Sequence, residues 1–380
     1  MAKLGDIATI QSGGTPARSI AEYWEDGTIP WVKISDIKSK HLNQTEEMIT
    51  EAGLENSSAK IFPKGTILYT IFATLGETSI LDINAATNQA IAGISITDSR
   101  VLPDYLYYYL LSQKIHVQKI GRGVAQNNIN MKLLRDFDVP LPSKEAQLNI
   151  IEQLNRVTEL LFLRKQQLTK LDELIKARFV EMFGDCRLNP KGWVTKNLDQ
   201  VADVGSSKRV FVEELQSEGI PFYRGTEVGA LAEGKSIRPE LFITEGHYKQ
   251  LCEATGKPQK GDLLMPSICP DGRIWVVDTD APFYFKDGRV LWVHLTSQNY
   301  NPVFLLYTLK DRIMTDYESI ASGTTFAELK IFALKKCRIF DVPLSLQNQF
   351  ADFVAEVDKS KLLAELFAQS TCILAENRSK

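Results

Sequence analysis

Apolar residues recur along this chain in two rhythms. In the stretches Thr66 to Ile71, Ile91 to Ile96 and Ile274 to Val277, β-branched and aromatic residues form short runs punctuated by Gly, Pro and Asp, the texture of strands. Around Pro103 to Ile115 and Pro302 to Ile313 the spacing turns helical. From Ser143 to Phe183 there is neither Gly nor Pro, and Leu, Glu, Lys and Gln dominate, which predicts one long helix. Alternating steps of three and four from Ile150 reach Leu154, Val157, Leu161, Arg164, Leu168, Leu171, Ile175, Arg178 and Met182, a mostly apolar heptad seam. Ser143 suits the N-cap, with Glu145 in the first turn, and Gly184 suits the stop. A second helix is expected from about Ser345 to the end, with Phe350, Phe353, Val357, Ser360, Ala364, Phe367 and Leu374 on a weaker seam. A forty-residue helix measures about 60 Å, so an antiparallel pair would make a rigid coiled-coil spacer with one domain near each end. The alternative is two unrelated helices, each packed on its own domain.

The pattern also repeats with a period near two hundred residues, which indicates duplication of a whole domain. Leu4-Gly-Asp-Ile-Ala-Thr-Ile10 is answered by Leu198-Asp-Gln-Val-Ala-Asp-Val204, and Ile29-Pro-Trp-Val-Lys33 by Ile220-Pro-Phe-Tyr-Arg224. Lys64-Gly-Thr-Ile-Leu68 matches Lys260-Gly-Asp-Leu-Leu264, and Tyr105 to Leu110 matches Phe304 to Leu309. Asp138-Val-Pro-Leu141 matches Asp341-Val-Pro-Leu344, each followed by a Gln-containing helical stretch. The resulting division is an α+β domain over 1–143, a helix over 144–185, a second α+β domain over 186–344 and a second helix over 345–380.

Composition changes this picture little. With 380 residues, 44 % of them hydrophobic, the chain can bury substantial cores. No apolar run reaches the roughly 18 to 20 residues of a membrane span, so no membrane association and a cytoplasmic location are expected. Five scattered cysteines without paired spacing read as reduced structural thiols. Charge does matter. The net value is −3, made of −2 over 1–143, 0 over 144–185 and −1 over 186–380. A nucleic-acid ligand would then require cations gathered on one face or a partner that shares the work.

Catalytic motifs are missing. No Gly-rich cofactor loop and no Asn/Asp-Pro-Pro-aromatic motif marks a methyltransferase. The fragments closest to a nuclease site, Glu233-Gly-Lys235 and Pro270-Asp271, have no counterpart in the first copy. His41, His116, His247 and His294 stand far apart and read as surface or core residues, and no metal site is expected.

What both copies offer is polar loops bearing cations, amides and hydroxyls. The candidates are Thr15, Arg18, Lys33, Ser35, Lys38, Arg122, Gln126 and Asn127 in the first copy, and Lys208, Arg209, Arg224, Thr226 and Thr324 in the second. Arg and Lys reach guanine edges, Asn and Gln pair with adenine, and hydroxyls serve either. Taken singly, each loop also reads as an ordinary solvated loop. Loops that differ at matching places in two similar copies are where two different sequences would be read.

Leu4-Gly-Asp-Ile7, Gly13-Gly-Thr-Pro16, Ile29-Pro-Trp31, Gly65, Gly76, Asn88-Gln89 and Val139-Pro-Leu-Pro142 with Gln147 resemble the specificity subunit of type I restriction-modification systems. The order of domain, helix, domain, helix extends that resemblance over essentially the whole chain. It implies two target-recognition domains, each reading one half of a split, asymmetric site in double-stranded DNA, with the helices as spacer. Two modification (methyltransferase) subunits would bind the helices and bring S-adenosylmethionine for adenine methylation. Restriction/translocase subunits would bring ATP and Mg, and this chain would hold no cofactor and catalyse nothing. Leu154, Val157, Leu161, Leu168, Leu171, Ile175, Phe353 and Val357 are the expected spacer and partner-interface positions. One departure is that the second copy has Ser206-Ser-Lys-Arg209 where the first has Gly-Gly-Thr-Pro. The competing reading is a coiled-coil scaffold whose two domains bind protein or another ligand.

Overall fold

A computed structural model describes residues 1–121, 128–323 and 327–378, without the side chains of 120–121 and 365–378. Arg122, Gln126, Asn127 and Thr324 lie outside the described residues. By contact the chain divides into a unit of Met1–Leu163 joined by the end of the last helix from Thr371, and a unit of Arg164–Ser370.

The first unit contains β1 (Ala8–Ser12), β2 (Ile29–Val32), β3 (His41–Leu42), β4 (Glu47–Ile49), β5 (Ile61–Phe62), β6 (Ile67–Thr70), β7 (Thr78–Leu81), β8 (Ala85–Thr87), β9 (Ile91–Ile96) and α1 (Pro103–Ser112), and α2 (Lys144–Phe183) starts within it. One sheet runs β1-β9-β6-β7-β3 and the other β4-β2-β8-β5. Strand β6 shows why the first sheet is buried on both faces. Ile67 and Tyr69 point into a core with Ile94, Leu106 and Leu110, whereas Leu68, between them, points into a core with Val32, Phe62, Leu81 and Ile91. The chain start is held by the ladder of Ala2–Lys3 on Asp138–Val139.

The second unit contains β10 (Ala202–Gly205), β11 (Ile220–Tyr223), α3 (Gly225–Ala232), β12 (Phe242–Ile243), β13 (Leu263–Pro266), β14 (Trp275–Val276), β15 (Tyr284–Phe285), β16 (Val290–Leu295) and α4 (Pro302–Ile320), and most of α5 (Leu344–Arg378) belongs to it. Its sheets run β10-β16-β13-β14 and β12-β11-β15. The duplication read from sequence is therefore a duplication of topology. In each unit the first strand pairs antiparallel with the last, Ile10 opposite Ile94 and Val204 opposite Val293. In each, the Ile-Pro-aromatic strand, β2 or β11, takes one antiparallel and one parallel neighbour.

Helix α2 starts where Ser143 Oγ accepts the Ala146 N–H at 3.2 Å. It stops at Phe183, where Gly184, the expected stop, turns left-handed at φ +86. Each expected seam position from Leu154 to Met182 is half-buried or buried while most of its neighbours are exposed. In the second unit the later part of α2 and the earlier part of α5 run antiparallel, with Asp172 meeting Lys361 at 2.7 Å and Phe179 meeting Phe350 at 5.4 Å between ring centroids. Ile175, Phe179, Phe183, Phe350, Val354 and Val357 share one core with Phe304 of α4. Of the expected α5 seam, Phe350, Val357 and Ala364 are buried, whereas Phe353 is half-buried and Ser360 exposed, with Val354 and Lys361 the more sheltered neighbours.

Each long helix is tied to its domain by an equivalent buried glutamine. Gln147 Nε2 donates to Arg100 O and Pro142 O at 2.8 and 3.0 Å, and Leu102 N donates to its Oε1 at 3.0 Å. Gln347 repeats all three bonds with Asn299 O, Val342 O and Asn301 N, at 3.0, 2.8 and 2.8 Å. Cys186, Cys269 and Cys337 are unpaired and buried, and burial pushes the Cys269 thiol up to about 12. Among the described residues no helix is long and apolar enough to cross a membrane.

Candidate nucleic-acid interface

In the first unit the polar loops converge on one carboxylate. Arg18 Nη1 lies 2.5 Å from Glu47 Oε2, and Lys33 Nζ lies 3.1 Å from Glu47 Oε1 and 2.8 Å from Glu46 Oε2. The Arg18 guanidinium also stacks over Trp24 and Trp31, at 3.7 and 4.9 Å from their ring centres. Thr15 donates a short hydrogen bond to Gln89 Oε1, and Trp31 Nε1 donates to Gly14 O at 3.0 Å, so the Gly13-Gly-Thr-Pro loop is fixed beside Asn88-Gln89. Added Cβ atoms at Gly13 and Gly14 would lie 2.0 Å from Thr87 Oγ1 and 2.3 Å from the Ser58 backbone, which explains both glycines. Lys38 lies 3.7 Å from Glu46, and Ser35 is exposed in the turn Ile34–Asp36.

Electrostatics follow this geometry. Glu46 raises the Lys33 pKa most, followed by Glu47, and Lys33 in turn lowers that of Glu46. The Arg18 hydrogen bond holds Glu47 below the usual carboxylate range, with Lys33 adding to it against the opposing effect of burial.

In the second unit Arg224, Gly225, Thr226, Glu227, Pro266, Ser267, Ile268, Arg273, Lys286 and Arg289 line an open concavity. Glu227 is the fixed point. It accepts from Arg224 N at 2.8 Å, from Arg224 Nε at 3.1 Å and from Thr226 Oγ1 at 3.0 Å. Burial opposes ionisation of Glu227, but these hydrogen bonds outweigh it and hold the carboxyl down to about 2. Arg224 Nη2 reaches Glu240 at 3.0 Å. Arg273 pairs with Asp271 at 2.7 Å and Arg289 with Glu328. Lys208 and Arg209 lie on a neighbouring loop, where Lys208 N donates to Tyr284 Oη at 3.5 Å and Arg209 stacks 5.5 Å from the Phe211 ring centre.

The structure thus unites Thr15, Arg18 and Lys33 around Trp31, Glu47 and Gln89, and unites Arg224 with Thr226, while Lys208 and Arg209 stand apart from the cationic concavity. Arg273, Lys286 and Arg289 were not foreseen. Their positions in sequence gave no signal: Arg224 and Lys286 follow strands of one sheet, β11 and β15, and Arg273 and Arg289 precede strands of the other, β14 and β16. The carboxylates of the nuclease-like fragments, Glu233 and Asp271, are ion-paired with Lys235 and Arg273. Among the described residues no cluster of three His, Cys, Asp or Glu side chains could hold a metal ion.

A duplicated α+β frame with cation-bearing loops at matching places, each domain followed by a long helix, defines a two-domain recognition protein. The family model for the type I restriction modification DNA specificity domain matches residues 1–173 and 190–368, and this chain belongs to that family. It is 27 % identical over 377 residues to the type I restriction enzyme MjaIX specificity subunit of Methanocaldococcus jannaschii, covering 93 % of this chain and 85 % of that one. It is 29 % identical over 161 residues to the EcoR124I/EcoR124II specificity subunit of Escherichia coli, covering 40 % of this chain and 39 % of that one. In fold it matches a chain from a study of complex assembly and conformational transition in the type I R-M system, with TM-score 0.58 at 18 % identity over 99 % of this chain and 93 % of the other. The S subunit of M. genitalium matches with TM-score 0.51 at 16 % identity over 99 % and 93 %. The scaffold reading is not favoured, since the family match spans both domains.

Proposed function

We propose that this chain is the DNA-reading subunit of a type I restriction-modification complex, with each domain recognising one half of a split, asymmetric duplex site. It acts in the cytoplasm and carries no catalytic centre of its own. Two modification subunits supply S-adenosylmethionine and adenine methylation, and restriction/translocase subunits supply ATP-driven, Mg-dependent translocation and cleavage. The observation that carries the reading is the cation at the end of the Ile-Pro-aromatic strand, Lys33 or Arg224, standing at the same place in both topologies but in different polar surroundings. Equal frames with unequal cations suit two half-sites of unequal sequence. Exposed Leu148, Leu160, Phe162, Leu163, Leu174 and Val180 on α2 supply apolar surface for the modification subunits.

The test is to assemble the chain with its genomically neighbouring methyltransferase and map methylated adenines by long-read sequencing. Two short specified halves around a fixed gap are expected, and substitution of Arg224 should relax only one of them. An assembled complex that methylates without any split motif would overturn the proposal.

A further inference from the structure

We propose that Glu46 and Glu240 are displaceable stand-ins for DNA: each holds its domain's reading cation in the free protein and surrenders it to an acceptor atom of the duplex. This deepens the DNA-reading function and rests on it. The two carboxylates are equivalent by register. Ile29 pairs with Ile49 and Ile220 with Ile243, and Glu46 and Glu240 each stand three residues before that partner in sequence, just ahead of β4 and β12. The cations they meet, Lys33 and Arg224, each follow the last residue of β2 and β11. Their contacts measure 2.8 Å for Lys33 Nζ to Glu46 Oε2 and 3.0 Å for Arg224 Nη2 to Glu240 Oε2. Elsewhere the copies diverge at this place: a three-residue turn follows Lys33, whereas an eight-residue helix follows Arg224.

Each cation has one sheltered partner and one open partner. Glu47 is 27 % exposed and Glu227 12 %, against 56 % for Glu46 and 73 % for Glu240. The sheltered carboxylate aims the cation. Glu227 engages Arg224 along its Nε and Nη2 edge and fixes the plane of the guanidinium. The other edge of that group, Nη1 with Nη2, is the fork that matches guanine N7 and O6 or two phosphate oxygens. Glu240 draws on the Nη2 donor of that fork, and among the described residues Nη1 has no hydrogen-bond partner. DNA must therefore displace the open carboxylate but not the sheltered one. Because exposed ion pairs are weak, displacement is easy where DNA supplies an acceptor and unrewarded where it does not.

The test uses the full chain assembled with its methyltransferase partner and measures equilibrium binding of duplexes that carry the mapped site. Glu46→Gln and Glu240→Gln should each tighten binding about two- to fivefold, the size expected for removing an exposed ion pair, and the double variant should multiply the gains. Glu51→Gln and Glu253→Gln remove equal charge at exposed positions of the helices Glu51–Glu55 and Glu245–Thr255, neither of which pairs with Lys33 or Arg224, and should change binding less. A gain confined to duplexes with the intact matching half-site would identify a base edge as the acceptor, and a gain on every duplex would identify phosphate. Unchanged or weakened binding in both variants, or equal gains in the controls, would overturn the proposal. A wild-type complex that binds no duplex would refute DNA reading itself, which is a separate outcome.

Discussion

Gln147 and Gln347 should be among the most costly polar residues to replace. Each is fully buried and bonds three backbone groups that belong to the turn before the domain's late helix and the approach to the long helix. Leucine has nearly the same volume, so Gln347→Leu leaves little cavity and isolates the loss of hydrogen bonds. The substitution strands the Asn301 N–H and the Asn299 and Val342 carbonyls. At about 1 to 3 kcal/mol for each stranded buried group, and with some carbonyls able to recover water, the cost is about 2 to 5 kcal/mol. For a unit of this size that is a fall in Tm of roughly 5 to 15 °C. Calorimetry of Gln147→Leu, Gln347→Leu and the double variant checks the argument, because the two sites lie in different units and their costs should add. A loss below about 1 kcal/mol in either variant would show that the glutamines are not the anchors their geometry suggests.

Two shorter expectations concern the spacer and the candidate site of the second unit. Leu154→Asp or Leu168→Asp places a charge on the half-buried seam of α2 and should abolish assembly with the modification subunits in size-exclusion chromatography; normal assembly would refute the seam's role. Glu227, held down to about 2 from an ordinary 4.5, stabilises the fold fully above pH 4.5 and loses that contribution as pH falls toward 2. Wild type should therefore lose more urea resistance over that interval than Glu227→Gln, and parallel pH profiles would count against the Arg224 clamp.

Helix α2 was legible because nothing interrupts its period over forty residues and because its ends carry local signals, Ser143 and Gly184. The duplication was legible because landmark residues kept their order. The candidate interface was only partly so. Arg18 and Lys33 are fifteen positions apart, and only the pairing of β2 with β4 brings Glu47 between them. Arg273 comes from the connection before β14, and Lys286 and Arg289 from the connection between β15 and β16, so their approach to Arg224 leaves no periodic trace. The role of Gln347 was hidden for another reason: its partners are backbone atoms, and any residue can supply those.

The two cores also show how the frame survives while its sequence drifts. Gly93 of β9 and Trp292 of β16 occupy equivalent positions, opposite Leu68 and Leu264. In the first unit the glycine lies under Phe62, whose ring would be 2.3 Å from an added Cβ, so bulk comes from the neighbouring layer. In the second, Trp292 supplies the bulk itself and its ring faces Gly256. Two residues along, Thr66 and Ser95 share a hydrogen bond at 3.2 Å where the second unit has Asp262 and His294 at 2.8 Å. Asp262 is buried and also accepts from Trp292 Nε1 at 2.8 Å, so the larger ring and the Asp262–His294 hydrogen bond form one network. Size and polarity thus change in compensating pairs while strand register stays fixed. The pairing of β2 and β11 is likewise shared, so Lys33 and Arg224 follow equivalent strands while the segments after them differ, a three-residue turn in one unit and an eight-residue helix in the other.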